Sequence, residues 1–445
     1  MFKKVLVANR GEIAVRILRS CRELGINSVA VYSEADRNSL HVKLADEAVC
    51  IGPAAATHSY LNVPNVVSAA EITGSDAIHP GYGFLAENAD FAEICKKCNI
   101  NFIGPTAEVI DTMGNKSKAR ETMQKAGVPV VPGSDGVLDG PDQAKELAKD
   151  IGYPVLLKAS AGGGGKGMRI VREEDELENA FNMAQMESQA AFGNGDMYME
   201  KYIETARHIE VQVLGDHHGA AIHIGERECS VQRRHQKLIE ESPSPALTDK
   251  DRKKLGEYAV RACKAVNYRN AGTVEFIMAG PSEFYFMEMN TRLQVEHPVT
   301  ERITGFDLVA MQLRVAAGEP MPVKQKDVRF HGHAMEFRIN AEDPDNDFAP
   351  SPGTLTLFEP PLGPFVRVDT MAYSSCQILP FYDSLFAKII VWGQNRHDTL
   401  ARSRRALKEF AVAGIKTTIP LHLKILENEK FISGDITTSF LDEEF

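Results

Sequence analysis

The stretch "AGGGGKGM", residues 161–168, decides the fold of this 445-residue chain. Its spacing satisfies the dinucleotide fingerprint G-x-G-x-x-G, which must lead from a strand into a helix. Here "VLLKA" before the loop and "MRIV" after it both have the apolar, β-branched composition of strands. No G-K-[ST] follows the glycines, so the common phosphate-loop pattern is absent as well. The stretch therefore predicts a glycine-tipped β-hairpin rather than a strand–turn–helix unit.

A hairpin of this kind is a flap whose backbone amides can fold over phosphate groups. Lys158 and Lys166 flank the glycines and would supply positive charge to the same anion. The alternative is a flexible loop that holds no ligand. Glycine this dense costs chain entropy on folding, which disfavours that alternative.

Composition bounds the class of protein. The length suggests about two to three domains, and 43% hydrophobic with 25% charged residues is ordinary for a globular chain. A formal charge of −11 argues against nucleic acid as a partner. Neither a signal peptide nor an apolar run of about 18 residues is found, so we expect a cytoplasmic protein without a membrane span. The C-x-x-C of Cys95 and Cys98 has no second pair, which favours two reduced thiols over a zinc site.

The order of strand and helix patterns predicts the domains. "KVLVA", "EIAVRILRSCREL" and "NSVAVYS" begin a strand–helix alternation typical of a parallel, doubly wound sheet, and its first turn lacks the glycines of a dinucleotide site. The fold class expected is α/β and α+β. The predicted units are a Rossmann-like N-terminal domain (1–113), a helical linker (114–130), a lid domain with the glycine flap (131–203) and a C-terminal domain with an antiparallel sheet (204–445).

The most informative polar pattern is "EMNTRLQVEHP", which begins at Glu288. Five polar side chains occupy every second position and would share one side of an extended chain; they are Glu288, Asn290, Arg292, Gln294 and Glu296. Glu275, in "GTVEFIM", is expected across a hairpin from Glu288. Two carboxylates and the Asn290 carbonyl are hard oxygen ligands of the kind that Mg²⁺ takes. The alternative is a solvated strand face, which alternates in the same way.

A second polar cluster is "GERECSVQRRHQK", residues 225–237. It carries five basic residues, Arg227, Arg233, Arg234, His235 and Lys237. So much positive charge in an acidic chain predicts an anion pocket. A solvated basic turn is the alternative.

These motifs together resemble one family. "VANRGEIAVR", "HPGYGFLAEN", "KASAGGGGKGM", "RHIEVQVLGD", "ERECSVQRRHQK" and "EMNTRLQVEHPVTE" are similar to the biotin carboxylases, members of the ATP-grasp ligases. The resemblance runs through essentially the whole chain. It implies an ATP-grasp fold of three subdomains, with ATP held between the glycine-flap lid and the C-terminal sheet.

The resemblance also implies the site residues. Those matching the nucleotide site are Lys116, Lys158, Gly164, Gly165, Glu200, Lys201, Ile203, His208, Gln232, His235, Glu275 and Glu288. Those matching the metal site are Glu275, Glu288 and Asn290, and those matching the bicarbonate site are Lys237, Arg292, Gln294, Val295 and Glu296. Arg338 matches the arginine that faces the biotin ureido oxygen, with Tyr82 and Asp383 as weaker candidates beside it.

The implied reaction joins ATP, bicarbonate and biotin to give ADP, phosphate and N1-carboxybiotin through carboxyphosphate, with Mg²⁺ or Mn²⁺. The catalytic residues expected are Lys237 and Arg292 on bicarbonate, Glu296 as general base and Arg338 on the developing enolate-like charge. No Met-Lys-Met tract is present, so biotin is expected on a separate biotin carboxyl carrier protein. Carboxyltransferase subunits and a homodimer are also expected.

The expected role is the first half-reaction of acetyl-CoA carboxylase in fatty acid synthesis. A subunit of a pyruvate or propionyl-CoA carboxylase remains an alternative, as does another ATP-grasp ligase. A nucleotide-binding module without turnover is a third possibility, which the metal carboxylates and lysines disfavour.

Overall fold

The N-terminal region is a parallel sheet with helices on both faces. The computed structural model describes residues 1–160 and 167–445. The five strands are β1 (Lys4–Val7), β2 (Asn27–Tyr32), β3 (Glu47–Cys50), β4 (Ala77–His79) and β5 (Asn101–Phe102), in the order β3-β2-β1-β4-β5. The helices are α1 (Gly11–Glu23), α2 (Leu40–Leu44), α3 (Val63–Thr73), α4 (Ala89–Lys97), α5 (Ala107–Gly114) and α6 (Lys116–Lys125). Every strand pairing is parallel, as the strand–helix alternation predicts.

The central strand of this sheet is buried on both faces. Val5 and Val7 pack into one apolar cluster with Ile13 and Ile17 of α1. Leu6 points the other way, into the cluster that contains Tyr60. Successive side chains of a strand alternate between faces, so a run of apolar residues requires helices on each side.

The next region is a small antiparallel sheet that carries the glycine loop. Its strands are β6 (Val155–Ala159), β7 (Arg169–Val171) and β8 (Met197–Lys201), in the order β7-β6-β8, and its helices are α7 (Pro141–Ile151) and α8 (Glu174–Phe192). Val155 pairs with Val171 and Leu157 with Arg169, so the loop does join two antiparallel strands. Gly164, Gly165 and Lys166 lie outside the described residues.

The C-terminal region is built on an eight-stranded antiparallel sheet in the order β13-β12-β9-β10-β11-β14-β21-β19. Its long strands are β9 (Arg207–Gly215), β10 (Ala221–Arg233), β11 (Gln236–Ser242), β12 (Asn270–Gly280), β13 (Glu283–Asn290), β14 (His333–Asn340), β19 (Val366–Thr370) and β21 (Leu385–Gly393). The short strands are β15 (Glu342–Asp343), β16 (Ala349–Pro350), β17 (Gly353–Thr354), β18 (Leu357–Glu359), β20 (Gln377–Ile378) and β22 (Ala411–Ala413). The helices are α9 (Asp249–Ala265), α10 (His297–Thr304), α11 (Leu308–Ala316), α12 (Arg396–Glu409), α13 (Ile419–Glu427), α14 (Glu429–Ser433) and α15 (Phe440–Glu444).

The two faces of this sheet differ in chemistry. Along β9, Ile209, Val211 and Val213 pack into an apolar cluster with residues of α9. His208 and Glu210 alternate with them and are therefore presented on the opposite face. That face carries the polar groups of the site. Among the described residues, no helix has both the length and the apolar character needed to span a bilayer.

Candidate active site

The polar face of the long sheet forms the floor of one large cavity of about 1350 Å³. The N-terminal region, the lid and the C-terminal sheet each contribute to its wall, for example through Tyr82, Lys158 and Arg338. Of the site residues that the family resemblance implies and the structure describes, every one except Glu296 lines this cavity. Glu296 is fully buried behind the wall and reaches the site through the side chains bonded to it.

A pair of opposed carboxylates lies at the β12–β13 hairpin. Glu275 and Glu288 are direct cross-strand partners, as the sequence predicts. Burial raises the pKa of Glu288, and the negative charge of Glu275 raises it further, while Lys116 opposes both. Like charges placed directly opposite each other are unfavourable unless a cation lies between them. The pair therefore fits a divalent cation.

The third predicted metal ligand, Asn290, makes hydrogen bonds to protein side chains. The amide oxygen of Asn290 accepts a hydrogen bond of 2.9 Å from Arg292, and its nitrogen donates to Glu275 at 2.7 Å. Carboxylate oxygens of Glu275 and Glu288 thus fit Mg²⁺ directly. Asn290 would become a ligand only after Arg292 releases its oxygen.

Lys237 lies at the centre of a buried cluster of carboxylates. Its ammonium nitrogen is 2.6 Å from Glu210, 2.7 Å from Glu296 and 3.2 Å from Glu275. Burial alone would lower the pKa of Lys237, but these three carboxylates raise it well above its ordinary value. Lys237 is therefore a permanent cation at the floor of the cavity.

Glu296 is held as a carboxylate by its neighbours. Burial alone would raise its pKa, but Lys237, Arg338 and Arg227 lower it well below the ordinary value. Arg338 donates to Glu296 at 2.9 Å and to Glu240 at 2.6 Å. The group expected to act as a base is thus ionised at neutral pH, as that role requires.

The polar row after β13 is bent rather than extended. The strand ends at Asn290, and residues 291–296 form bends and a turn before α10 begins at His297, so the extended chain expected through Glu296 is wrong. The cause is a contact from the N-terminal region: Glu87 accepts hydrogen bonds from the Thr291 amide at 2.9 Å and from Arg292 at 2.8 Å. The side chains nevertheless converge in the cavity.

Gln294 and Arg292 complete this bonded row. Gln294 donates to Glu275 at 2.8 Å and accepts from Arg292 at 3.1 Å. Sequence reasoning did not single out Glu87, although it lies in the quoted stretch "HPGYGFLAEN". Its role is a tertiary contact between regions about two hundred residues apart, which no local pattern signals.

The basic segment 225–237 does not form a single anion pocket. Arg227 is fully buried and bonds Gln212 at 2.8 Å and Glu210 within the sheet. Arg233 and Arg234 both bind Asp347. The expectation is therefore wrong for Arg227 and Arg233, because nearby acidic or polar side chains neutralise them away from the cavity.

The nucleotide end of the cavity is formed mainly by the lid and α6. Burial would lower the pKa of Lys158, but Glu200, to which it is bonded, raises it above its ordinary value. Lys116 is the first residue of α6 and lines the same cavity. The ammonium of Lys201 instead donates to the carbonyls of Gly152 and Tyr153, at 3.0 and 2.9 Å.

Three further predicted nucleotide residues lie along the cavity wall. Ile203 follows β8, and Gln232 and His235 lie at the β10–β11 turn. His208 Nε2 is 2.8 Å from Glu275 Oε2, which connects this wall to the paired carboxylates. The nucleotide and metal candidates therefore meet at one end of the cavity.

Two further candidates for the biotin end are Tyr82 and Asp383. The Tyr82 hydroxyl donates to Glu12, and an oxygen of Asp383 accepts from the Leu385 amide at 2.8 Å. Both residues line the cavity that Arg338 also lines.

Comparison with known proteins assigns the family. Models of the biotin carboxylase N-terminal domain, the carbamoyl-phosphate synthase L chain ATP-binding domain and the biotin carboxylase C-terminal domain match residues 1–110, 115–324 and 336–443. Biotin carboxylase 1 of Bacillus subtilis is 59% identical over 443 residues, covering 99% of this chain and 98% of that protein. The chain belongs to the biotin carboxylase family. The predicted membership of the ATP-grasp ligases is confirmed, and the protein is an ATP-dependent ligase of this family.

Relatives within the family carry different names. A pyruvate carboxylase subunit of Methanothermobacter thermautotrophicus is 55% identical, covering 100% of this chain and 90% of the relative. A solved biotin carboxylase–beta-gamma-ATP complex from Campylobacter jejuni has a TM-score of 0.97 at 51% identity, covering 100% of this chain and 99% of that one. A second solved structure is the biotin carboxylase domain dimer of Hydrogenobacter thermophilus 2-oxoglutarate carboxylase, in complex with MgADP, ADP and bicarbonate. It has a TM-score of 0.95 at 52% identity, covering 100% of this chain and 98% of that one. The predicted fold class is confirmed.

Proposed function

We propose that this protein carboxylates biotin at the expense of ATP and bicarbonate. A bicarbonate oxygen attacks the γ-phosphorus of ATP, ADP leaves, and carboxyphosphate forms. Carboxyphosphate then breaks into carbon dioxide and phosphate; biotin N1 gives its proton to phosphate and attacks the carbon dioxide. The observation that carries the proposal is the single cavity that unites Lys116 and Lys158, the Glu275–Glu288 pair, Lys237 and Arg338.

The nucleotide end supports phosphoryl transfer. This step needs positioning and charge neutralisation more than covalent help. Lys116, Lys158 and the amides of Gly164 and Gly165 would hold the phosphates, with Glu200, Lys201, Ile203, His208, Gln232 and His235 around the nucleotide. Glu275 and Glu288, with Asn290, would hold Mg²⁺ or Mn²⁺, which would neutralise charge on the phosphates. The Campylobacter and Hydrogenobacter structures, with their nucleotide ligands, support this part.

The bicarbonate end is assigned to Lys237, Arg292, Gln294, Val295 and Glu296. Lys237 and Arg292 are cations that can hold the anion, Arg292 with two parallel hydrogen bonds. Glu296 would remove the bicarbonate proton. Its low pKa makes it a weak base while Lys237 is bonded to it, and a bicarbonate that takes over the Lys237 contact would raise its basicity.

The biotin end is assigned to Arg338, Tyr82 and Asp383. Biotin N1 is a very weak acid, so its deprotonation needs stabilisation of the charge that develops on the ureido oxygen. Arg338 is partly buried, and its carboxylate neighbours keep it charged, which makes it a fixed donor for that oxygen. The phosphate released beside it would serve as the base.

The biotin is proposed to arrive on a separate carrier protein, and carboxyltransferase subunits would use the carboxybiotin. Curated relatives named only biotin carboxylase support a role within acetyl-CoA carboxylase, and the Hydrogenobacter dimer supports a homodimer. A role within a pyruvate carboxylase is the second candidate, which the Methanothermobacter relative favours.

The test is ADP release with Mg-ATP and with bicarbonate and free biotin each present or omitted. We expect release that needs bicarbonate and is strongly stimulated by biotin. Arg338→Gln should abolish the stimulation, whereas Arg233→Gln, a matched change at an arginine bonded to Asp347 outside the cavity, should preserve it. If the rate of ADP release is the same with and without biotin, the proposal is rejected in favour of another ATP-grasp ligase.

A further inference from the structure

A buried lysine lies directly behind the proposed bicarbonate tract. Lys388, in the middle of β21, is fully buried. Its ammonium donates to the carbonyl of Val295 at 2.6 Å and lies 3.1 Å from Glu12 Oε1. A lysine in the interior is expensive unless it is paired. Its position therefore calls for an explanation.

The register of the sheet makes this position more costly. Lys388 is the direct cross-strand partner of Arg338 on β14 and of Asp369 on β19. Two cations directly opposite each other on one face repel. Burial would lower the pKa of Lys388, but Glu12 and Asp369 raise it, so the ammonium remains charged beside Arg338. An apolar residue would suit the neighbouring sequence "LFAKIIVWG" better as far as packing is concerned.

The carboxylate paired with Lys388 also contacts the part of the cavity wall that contains Tyr82. Glu12 Oε1, in the first turn of α1, also accepts the hydrogen bond of the Tyr82 hydroxyl. One oxygen thus joins Lys388 and Tyr82. The result is a bonded chain from the Val295 carbonyl, through Lys388 and Glu12, to Tyr82.

This chain connects the two substrates of the carboxyl transfer. Val295 lies between Gln294 and Glu296 in the turn assigned to bicarbonate, and Tyr82 belongs to the wall assigned to biotin. Carbon transfer requires the two reactants at near-contact distance, and a displacement of about 1 Å can cost about 100-fold in rate. The N-terminal region and the C-terminal sheet carry these two walls. They must therefore be held in a fixed position relative to each other.

We propose that Lys388 and Glu12 are positioning residues that fix the position of the bicarbonate turn at Val295 relative to the biotin wall at Tyr82. This inference rests on the proposed function and adds two residues bonded to Val295 and Tyr82. It predicts a defect in coupling: when the two walls are no longer fixed relative to each other, carbon dioxide and phosphate escape before biotin N1 attacks the carbon dioxide. ATP would then be converted to ADP without the formation of carboxybiotin.

The test compares Lys388→Met, Glu12→Gln and the double variant. Methionine keeps the length of lysine and loses its donors; glutamine keeps the shape of Glu12 and loses the charge. The matched control is Arg396→Met. Arg396 likewise bridges a buried carboxylate, Glu241, and backbone carbonyls, but it lies outside the cavity lining.

Four quantities separate positioning from a structural role: ADP released per carboxybiotin formed, the KM for bicarbonate, the KM for ATP, and Tm. We expect Lys388→Met and the double variant to raise the ADP-to-carboxybiotin ratio at least about tenfold with the ATP KM within about twofold. Glu12→Gln should raise the ratio less, and Arg396→Met should lower Tm with the ratio unchanged. The double variant should recover Tm, because it removes both buried charges, while its ratio stays high.

If Glu12→Gln leaves both the ADP-to-carboxybiotin ratio and the bicarbonate KM unchanged, the inference is overturned, even if Lys388→Met fails to fold. A double variant that recovers both Tm and wild-type coupling would also overturn it, since charge balance alone would then explain the pair. Wild-type protein is assayed alongside. If its ADP release needs neither bicarbonate nor biotin, the proposed function fails, and the positioning role fails with it.

Discussion

Lys237→Met is the most informative single substitution, because one ammonium group balances three carboxylates. Lys237 lies 2.6 Å from Glu210, 2.7 Å from Glu296 and 3.2 Å from Glu275. Removing one partner of a buried ion pair costs roughly 3–5 kcal/mol of stability. The loss of a buried, hydrogen-bonded charge at a binding site costs roughly 2–5 kcal/mol, or about 30- to 5,000-fold in rate at 1.36 kcal/mol per tenfold. We expect a fall of that size in kcat/KM for bicarbonate.

The same substitution has a defined dependence on pH. Burial alone would raise the pKa of Glu296 and of Glu275, but Lys237 lowers both below their ordinary values. A carboxylate with a lowered folded-state pKa contributes stability that is present above about pH 4.3 and is lost as the pH falls through the folded-state value. Lys237→Met removes this contribution. It also raises further the pKa of Glu210, which burial already holds above its ordinary value, so the variant loses stability as the pH rises above about 4.3. The Tm deficit of the variant should therefore be largest near pH 7 and shrink toward pH 4.

The assays are thermal denaturation between pH 4 and pH 8 and bicarbonate-dependent ADP release. Arg252→Met is the matched control, since Arg252 pairs with the buried Glu226 at 2.7 Å and does not line the cavity. It should lower Tm and leave the bicarbonate KM unchanged. A Lys237→Met protein with wild-type bicarbonate kinetics, or with the same Tm deficit at pH 4.5 and pH 7, would refute the reasoning.

Three other predictions follow from the geometry. Burial raises the pKa of Glu336 well above its ordinary value, so the contribution of this group to wild-type stability declines as the pH rises above about 4.3, by up to about 1.4 kcal/mol per pH unit. The Tm of Glu336→Gln relative to wild type should therefore increase from pH 5 to pH 8, and a constant difference would contradict this. Gly167 has φ +71°, and an added Cβ would lie 2.9 Å from Ala159 Cβ. Gly167→Ala should thus strain the flap by about 1–3 kcal/mol and raise the ATP KM measured by steady-state kinetics, with little change for bicarbonate. Glu288→Gln should raise the Mg²⁺ concentration for half-maximal activity at least about tenfold, or 1.4 kcal/mol, without lowering Tm, because it relieves repulsion from Glu275; an unchanged Mg²⁺ requirement would exclude Glu288 as a ligand.

Local periodicity predicted the parts of the fold and site that depend on neighbours along the chain. Strand patterns on both sides of the glycine loop predicted the β6–β7 hairpin, and the spacing of "GTVEFIM" and "EFYFMEMN" predicted that Glu275 faces Glu288. Both follow from the two-residue repeat of a strand and from a short connection. These features carry their own signal in the sequence.

Contacts between distant regions carry no such signal. Glu87 bends the chain after Asn290, and nothing near either residue indicates the pairing. Arg227 was grouped with its basic neighbours, although its strand position directs it into the sheet, where Glu210 and Gln212 bind it. Lys388 does carry a signal in the sequence, since it is a single cation inside a continuous apolar strand.

The formation of carboxyphosphate is the central chemical step of the proposed function, and isotope transfer tests it most directly. The protein is supplied with bicarbonate labelled with ¹⁸O, with Mg-ATP and with biotin, and the released phosphate is analysed by mass spectrometry. If bicarbonate oxygen attacks the γ-phosphorus, one ¹⁸O atom must appear in phosphate for each carboxybiotin formed. Phosphate without the label, formed together with carboxybiotin, would contradict activation through carboxyphosphate at this site.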